Sequence, residues 1–417
     1  MTPSLLGRFR LLGPGLVLAA AGIGAADVVV ASVSGIRFGT TLLWVVIFTV
    51  ALKFVLTEAL ARYQLATGET VVHAWATRLP RAIGIGFGLY LLFWTFMVGA
   101  ALSSACGLAV TSFFPGVPLQ VGAAIHAVVA ALLVGFNRYA QFQRVMKALI
   151  GTMAISVLVC AVLVAPSLGE ILRGLFVPTI PPVGGGAQVL SLLGGIGGSV
   201  TMLCYGYWMR LEGWRGGEKL RTVRGDVGFA YFFTGLFGAA LIVIAAGVHA
   251  QGAAGSRIAL EVAAQLGRVA GPAAHWIFLV GFWCTVFTAM LGVWQGVPQV
   301  YVDLVSAWRD RERSGGPSAV AKESSAKDRR IYLAALAYIA LPPLALIWFK
   351  QPVAVVVAFA ITGAFFVPFL SATLLYLNNR RDWMGALANG RWGNATLVVC
   401  LLVFGAVCVK EIVGVMK

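Results

Sequence analysis

Apolar stretches of about 20 residues follow one another along nearly the whole chain. Nothing else restricts the fold as strongly. A stretch of that length crosses a bilayer as a helix, and lipid offers no partner to a backbone N–H or C=O. Charged residues make up only 11% of the 417, under half of the roughly 25% usual in soluble domains. The sequence therefore predicts an all-α polytopic membrane protein. Eleven helical spans are expected, at 11–34, 41–62, 84–110, 119–137, 145–165, 188–209, 227–249, 272–302, 331–349, 352–377 and 394–414. They form a single transmembrane domain, 1–417, whose main partner is the lipid bilayer.

The net charge of +16 is a topology signal. With each span end assigned to its neighbouring loop, 23 of the 31 Lys and Arg fall on the side of the N-terminus. Seven fall on the other side, and Lys53 lies inside a span. Positive loops face the cytoplasm, which predicts a multi-pass plasma (inner) membrane protein. Its N-terminus is expected inside and its C-terminus outside. A basic nucleic-acid surface is not needed to explain the charge. The first apolar run exceeds a signal-peptide core. The six cysteines fall within spans without a C-x-x-C pair and read as small packing residues. His126 reads as a packing histidine. No nucleophile elbow, H-E-x-x-H, P-loop or carboxylate pair is present, so neither an enzyme nor a cofactor is expected. Nothing requires more than a monomer. The loop Ser306–Arg330 reads as a solvated connector, and Arg210–Asp226 as a loop with a short interfacial helix.

Two glycine-interrupted spans echo each other. Gly22-Ile23-Gly24-Ala25-Ala26 in the first span is matched 173 residues later by Gly195-Ile196-Gly197-Gly198-Ser199 in the sixth. Matched breaks in two halves point to a transporter built from inverted repeats. Five spans per repeat give halves of about 11–165 and 188–377, with an extra helix at about 394–414. Each glycine costs a helix interior about 1 kcal/mol relative to Ala, and unwound backbone in a membrane survives only where it lines a cavity. Close packing of small residues is the competing use of such glycines.

Asp27 lies beside the first break. A mid-membrane charge costs about 2.5–3.5 kcal/mol on insertion scales, so Asp27 is the leading substrate- or ion-binding candidate. Gly24, Ala25, Gly197, Gly198 and Thr201 accompany it, with Asp27 and Thr201 as side-chain metal ligands. Lys53, mid-way along the second span, is a charge partner for Asp27 or a contact for an anionic substrate. Glu58 and Arg62 are spaced for an i,i+4 pair. Gln295, Gln299 and Asp303 share one face of the eighth span, as a pathway lining or as interhelical hydrogen bonds. Thr362, before Gly363, is a further pathway candidate.

"GPGLVLAAAGIGAADVVVASVSGIRFGTTLLWV" (Gly13–Val45) resembles the first span and following loop of the Nramp family of divalent metal transporters. "LARYQLATGETV" (Leu60–Val71) resembles its segment after the second span, and "VPF" at 367–369 also fits. The resemblance implies a LeuT-type fold, two five-helix inverted repeats plus one helix, with the first and sixth helices broken. It implies secondary active transport of an inorganic, divalent cation as substrate by alternating access. The family's motifs are altered here. Its D-P-G-N falls on Gly24-Ala25-Ala26-Asp27, and its M-P-H on Thr201-Met202-Leu203. Its third-span acids, tied to proton transfer, fall on Ala100 and Ser103. Without the thioether, the preference for transition metals over calcium or magnesium is lost. A transporter of a small organic cation, amino acid or anion on the same fold is the alternative. A sensor that binds without transporting is a third reading.

Overall fold

The structure is a computed structural model that describes residues 13–136, 139–248, 257–314, 326–348 and 352–415. Among these, all regular structure is helical, as lipid requires of a chain that does not close a barrel. The first half contains α1 (Pro14–Gly22), α2 (Ala25–Phe38), α3 (Leu43–Thr67), α4 (Val71–Thr77) and α5 (Arg81–Phe113). After these come α6 (Leu119–Phe136), α7 (Tyr139–Leu163) and α8 (Leu168–Phe176). The second half continues with α9 (Gly185–Gly195), α10 (Thr201–Leu211), α11 (Leu220–Val248), α12 (Ile258–Ala270) and α13 (Pro272–Ser314). It ends with α14 (Ala326–Ala340), α15 (Leu344–Trp348), α16 (Pro352–Asn378), α17 (Arg381–Met384) and α18 (Arg391–Val415).

Among the described residues, eight helical segments are long and apolar enough to cross a membrane, and α1 with α2 makes a ninth, bent by 61°. Two further spans are expected from the sequence. One is α9 plus α10, two 11-residue helices separated by the loop 196–200, each too short to cross alone. The other is α16, a continuous helix of 27 residues, Pro352–Asn378, that matches the expected 352–377. The expected first-span residues 11–12 lie outside the described residues, as do the ends at 137, 249 and 349 and loop residues 315–325.

Three non-spanning helices occupy what the sequence reads as loops or ends. In α8, Ser167 caps the N-terminus by accepting the Glu170 N–H. Its exposed Leu168, Leu172 and Phe176 recur every fourth residue, the pattern of a helix lying in the interface. α12 buries Ile258, Val262 and Leu266 along one face. α4 is capped by Thr70, whose hydroxyl accepts the His73 N–H. The expected interfacial helix in 210–226 is a 3-10 turn, Gly217–Lys219, running into α11. α13 overshoots its expected end at 302 by 12 residues. At 43 residues it is about 64 Å long, roughly twice the hydrocarbon thickness.

α11 packs against α2 and α3, and α13 packs against α1, α5, α7 and α10. The two broken spans thus lie side by side inside the bundle, and Asp226 fixes the start of the first. α1 begins with Gly13 and Pro14, which supply no side-chain cap. Asp226 of α11 takes over this task from 211 residues away. Its carboxylate accepts the Gly15 N–H at 2.6 Å and the Tyr205 hydroxyl of α10 at 2.9 Å. Asp226→Ala is expected to lower the unfolding free energy by about 1–2 kcal/mol, the cost of a lost helix cap. Thermal unfolding of the purified protein beside wild type checks this, and an unchanged midpoint would show that α1 needs no such cap.

Candidate functional site

The first break is Ile23-Gly24. Ile23 is extended (φ −94°, ψ 108°), and α2 restarts at Ala25. Asp27 occupies the third position of α2, where an acid is favourable to the helix dipole. Its Oδ2 reaches back to accept the Gly24 N–H at 2.8 Å. Its Oδ1 accepts the Gly197 N–H of the other broken span, also at 2.8 Å. The carboxylate is 4% exposed, so the cost of burying its charge is offset by charge-assisted hydrogen bonds.

The second break is longer. α9 ends at Gly195, Ile196 is extended, and Gly197 and Gly198 have φ +82° and +73°. These left-handed conformations strain any residue with a Cβ. A Cβ on Gly22 would lie 3.5 Å from the Gly197 carbonyl, so the two breaks touch.

Lys53 closes the arrangement. It is fully buried, and its ammonium donates to the Ile196 carbonyl and, at 2.7 Å, to the Gly198 carbonyl. The peptide between Ile196 and Gly197 therefore has its carbonyl on Lys53 and its N–H on Asp27. The expected pairing of the two residues runs through this backbone group.

A cavity of about 50 Å³ opens beside the touching breaks, enough for a few waters or a small ion. Gly24, Ala25, Asp27, Gly198 and Thr201 line it. The Thr201 hydroxyl is buried and has no hydrogen-bond partner. Trp94 and Val98 of α5 and Ala289 and Val293 of α13 form apolar walls. Sequence reasoning missed these four, because an apolar wall carries no signal that separates it from packing.

The remaining candidates lie elsewhere. Gly197 and Lys53 hold the second break from behind and do not line the cavity. Gln295 accepts a hydrogen bond from the Trp208 indole, and Asp303 accepts the Tyr207 hydroxyl at 2.9 Å and that of Thr70. These are the interhelical hydrogen bonds that the sequence left open. Gln299 is half-buried outside the cavity, and Gly363 lines it where Thr362 does not. The Thr362 carbonyl accepts the Tyr90 hydroxyl at 3.0 Å. Glu58 pairs with Arg62 at 3.2 Å and also with Arg224 at 2.9 Å. His126 accepts the Trp283 indole N–H at 2.9 Å, and its other ring nitrogen lies 2.9 Å from the Gly122 carbonyl. Among the described residues, no three His, Cys, Asp or Glu side chains gather into a metal centre. The site offers one carboxylate, a hydroxyl and backbone carbonyls, a set suited to hard cations.

Residues 15–414 match the family described as Natural resistance-associated macrophage protein-like, Nramp. The divalent metal cation transporter MntH of Brucella suis is 26% identical over 313 residues, 70% of this chain and 67% of that protein. MntH of Mycobacterium tuberculosis is 28% identical over 255 residues, 58% of each chain. The alignments thus take in between 58% and 67% of these relatives. The Eremococcus coleocola manganese transporter, solved with an aromatic bis-isothiourea compound, superposes with a TM-score of 0.72 at 15% identity. That match covers 100% of this chain and 90% of that one. MhsT in complex with L-phenylalanine superposes with a TM-score of 0.59 at 13% identity, covering 94% and 97%. The architecture is of the LeuT type.

Proposed function

From a chain that belongs to the Nramp family, we propose a secondary membrane transporter that carries a small inorganic cation, of the divalent metal class, by alternating access. The observation behind this reading is the contact between two helix breaks, bridged by a buried carboxylate and opening onto a small cavity. Asp27 supplies the charged ligand. Its two oxygens accept one N–H each and, as acceptors with about four lone-pair sites, keep capacity for a cation. Thr201 supplies a hydroxyl, and the first break supplies backbone carbonyls. The ion is cargo and no resident cofactor is involved. Rocking of one helix bundle against a scaffold would open the site to each side in turn.

The chain would act as a monomer in the inner membrane, with its N-terminus in the cytoplasm. Its repeats, about 11–165 and 188–377, would run in opposite directions across the bilayer, followed by the helix at 394–414.

Uptake of manganese into proteoliposomes, against protein-free vesicles, tests the reading. Thr201→Val, which keeps the shape and removes the hydroxyl, is expected to lower uptake at limiting manganese about fivefold. That corresponds to roughly 1 kcal/mol for one lost polar contact. Unchanged uptake would remove Thr201 from the ligand set.

One observation favours a second reading. Lys53 places a positive charge behind the cavity, which weakens metal binding by repulsion and, of the organic cation, amino acid or anion of the alternative, suits the amino acid or anion. Titration showing no binding of manganese, magnesium or calcium, with a thermal shift by an amino acid, would select it.

A further inference from the structure

Two of the carbonyls that the second break frees, those of Ile196 and Gly198, are already ligated, and by a side chain of the protein itself. Lys53 lies ten residues from Leu43 and fourteen from Thr67, the ends of α3. Its head cannot reach an interface by extending along the helix. The ammonium has three N–H groups, and two are spent on Ile196 and Gly198. Two carbonyls converging on one point is the way unwound backbone holds a dissolved cation. Here the position is taken by Nζ. The opposite charge, Asp27, is attached to the same loop through the Gly197 N–H. A Cβ added to Gly197 would lie 3.3 Å from the Lys53 Cδ and 3.5 Å from both Thr234 and Tyr231 of α11. The lysine stem and α11 thus wall the loop together.

We infer that Lys53 is a covalently tethered co-ion. Its ammonium permanently fills a cation position at the second break, so the loop keeps its binding shape without a dissolved monovalent cation. Removing the ammonium leaves a pair of carbonyls and an unbalanced Asp27, which together form a site for a small cation that carries either bare charge or N–H donors. The inference uses the two-break site of the proposed function. Its readout is stability without cargo, so it can fail while metal transport stands, and the reverse.

The test is thermal unfolding of the purified full chain in detergent, at one ionic strength, in choline, sodium, potassium or ethylammonium chloride. Choline is the reference because it has no N–H and is too large for the position. The wild-type midpoint is expected to be the same in all four. Lys53→Ala is expected to unfold several degrees lower in choline and to recover saturably with ethylammonium, sodium or potassium. Lys53→Met, which fills the space of the stem without a donor, is expected to stay low with ethylammonium. A Lys53→Ala midpoint unmoved by every cation would overturn the inference, as would a wild-type midpoint that rises with sodium or potassium as much as the variant's. Lys53→Val, which also leaves the two carbonyls without a donor and the position unfilled, carries the same test if Lys53→Ala is not recovered folded. Its midpoint is expected to rise with sodium or potassium, and an unmoved midpoint overturns the inference.

Discussion

Asp27→Asn is expected to lower manganese uptake at sub-saturating concentrations by about a hundredfold, which is roughly 3 kcal/mol. The change conserves shape, so the loss comes from charge and from hydrogen-bond direction. The native carboxylate accepts at both oxygens, from Gly24 and from Gly197. An asparagine has one oxygen and one NH2. Whichever way the amide turns, a donor faces a donor at one of the two breaks. The variant also leaves the buried Lys53 ammonium without its counter-charge, and an uncompensated buried charge costs several kcal/mol. Uptake normalised to the folded protein in the vesicles checks the expectation. Full activity would mean that the carboxylate holds the loops and does not meet the cargo.

Gly198→Ala is expected to cut uptake at least tenfold and to lower the unfolding midpoint. The left-handed conformation at φ +73° costs an alanine about 1–2 kcal/mol. The new Cβ would also lie 2.3 Å from the Thr201 Oγ1 and 3.2 Å from the Gly22 Cα. Thr201 must turn away, or the two breaks must part. Gly186→Ala is the control. Gly186 lies in α9 with open space around its Cβ position, and alanine there is expected to be neutral or slightly stabilising. Equal effects of the two substitutions would show that the second break has no special geometry.

The bundle was legible because lipid leaves so few options, and apolar length gives the spans. The two breaks were legible because glycine clusters are costly in helices and these two share an offset of 173 residues. Asp27 was legible by its charge alone. Its role as a bridge to Gly197, 170 residues on, was not, since that partner is a backbone N–H and has no letter in the sequence. Lys53 shows the same limit. Its charge suggested an acid as partner, and the structure gives it two carbonyls. Asp226 stands at a predicted loop end and could not be connected to Gly15. α8 and α12 escaped because an apolar length criterion passes over short amphipathic helices.

The most direct measurement is the anomalous scattering of manganese in crystals of the full chain. The account predicts one peak in the cavity between the breaks, within about 2.5 Å of an Asp27 carboxylate oxygen and of the Thr201 hydroxyl. Lys53 should still be seated on Ile196 and Gly198. A cavity without a peak at saturating manganese, or a peak that displaces the Lys53 ammonium from those carbonyls, would contradict it.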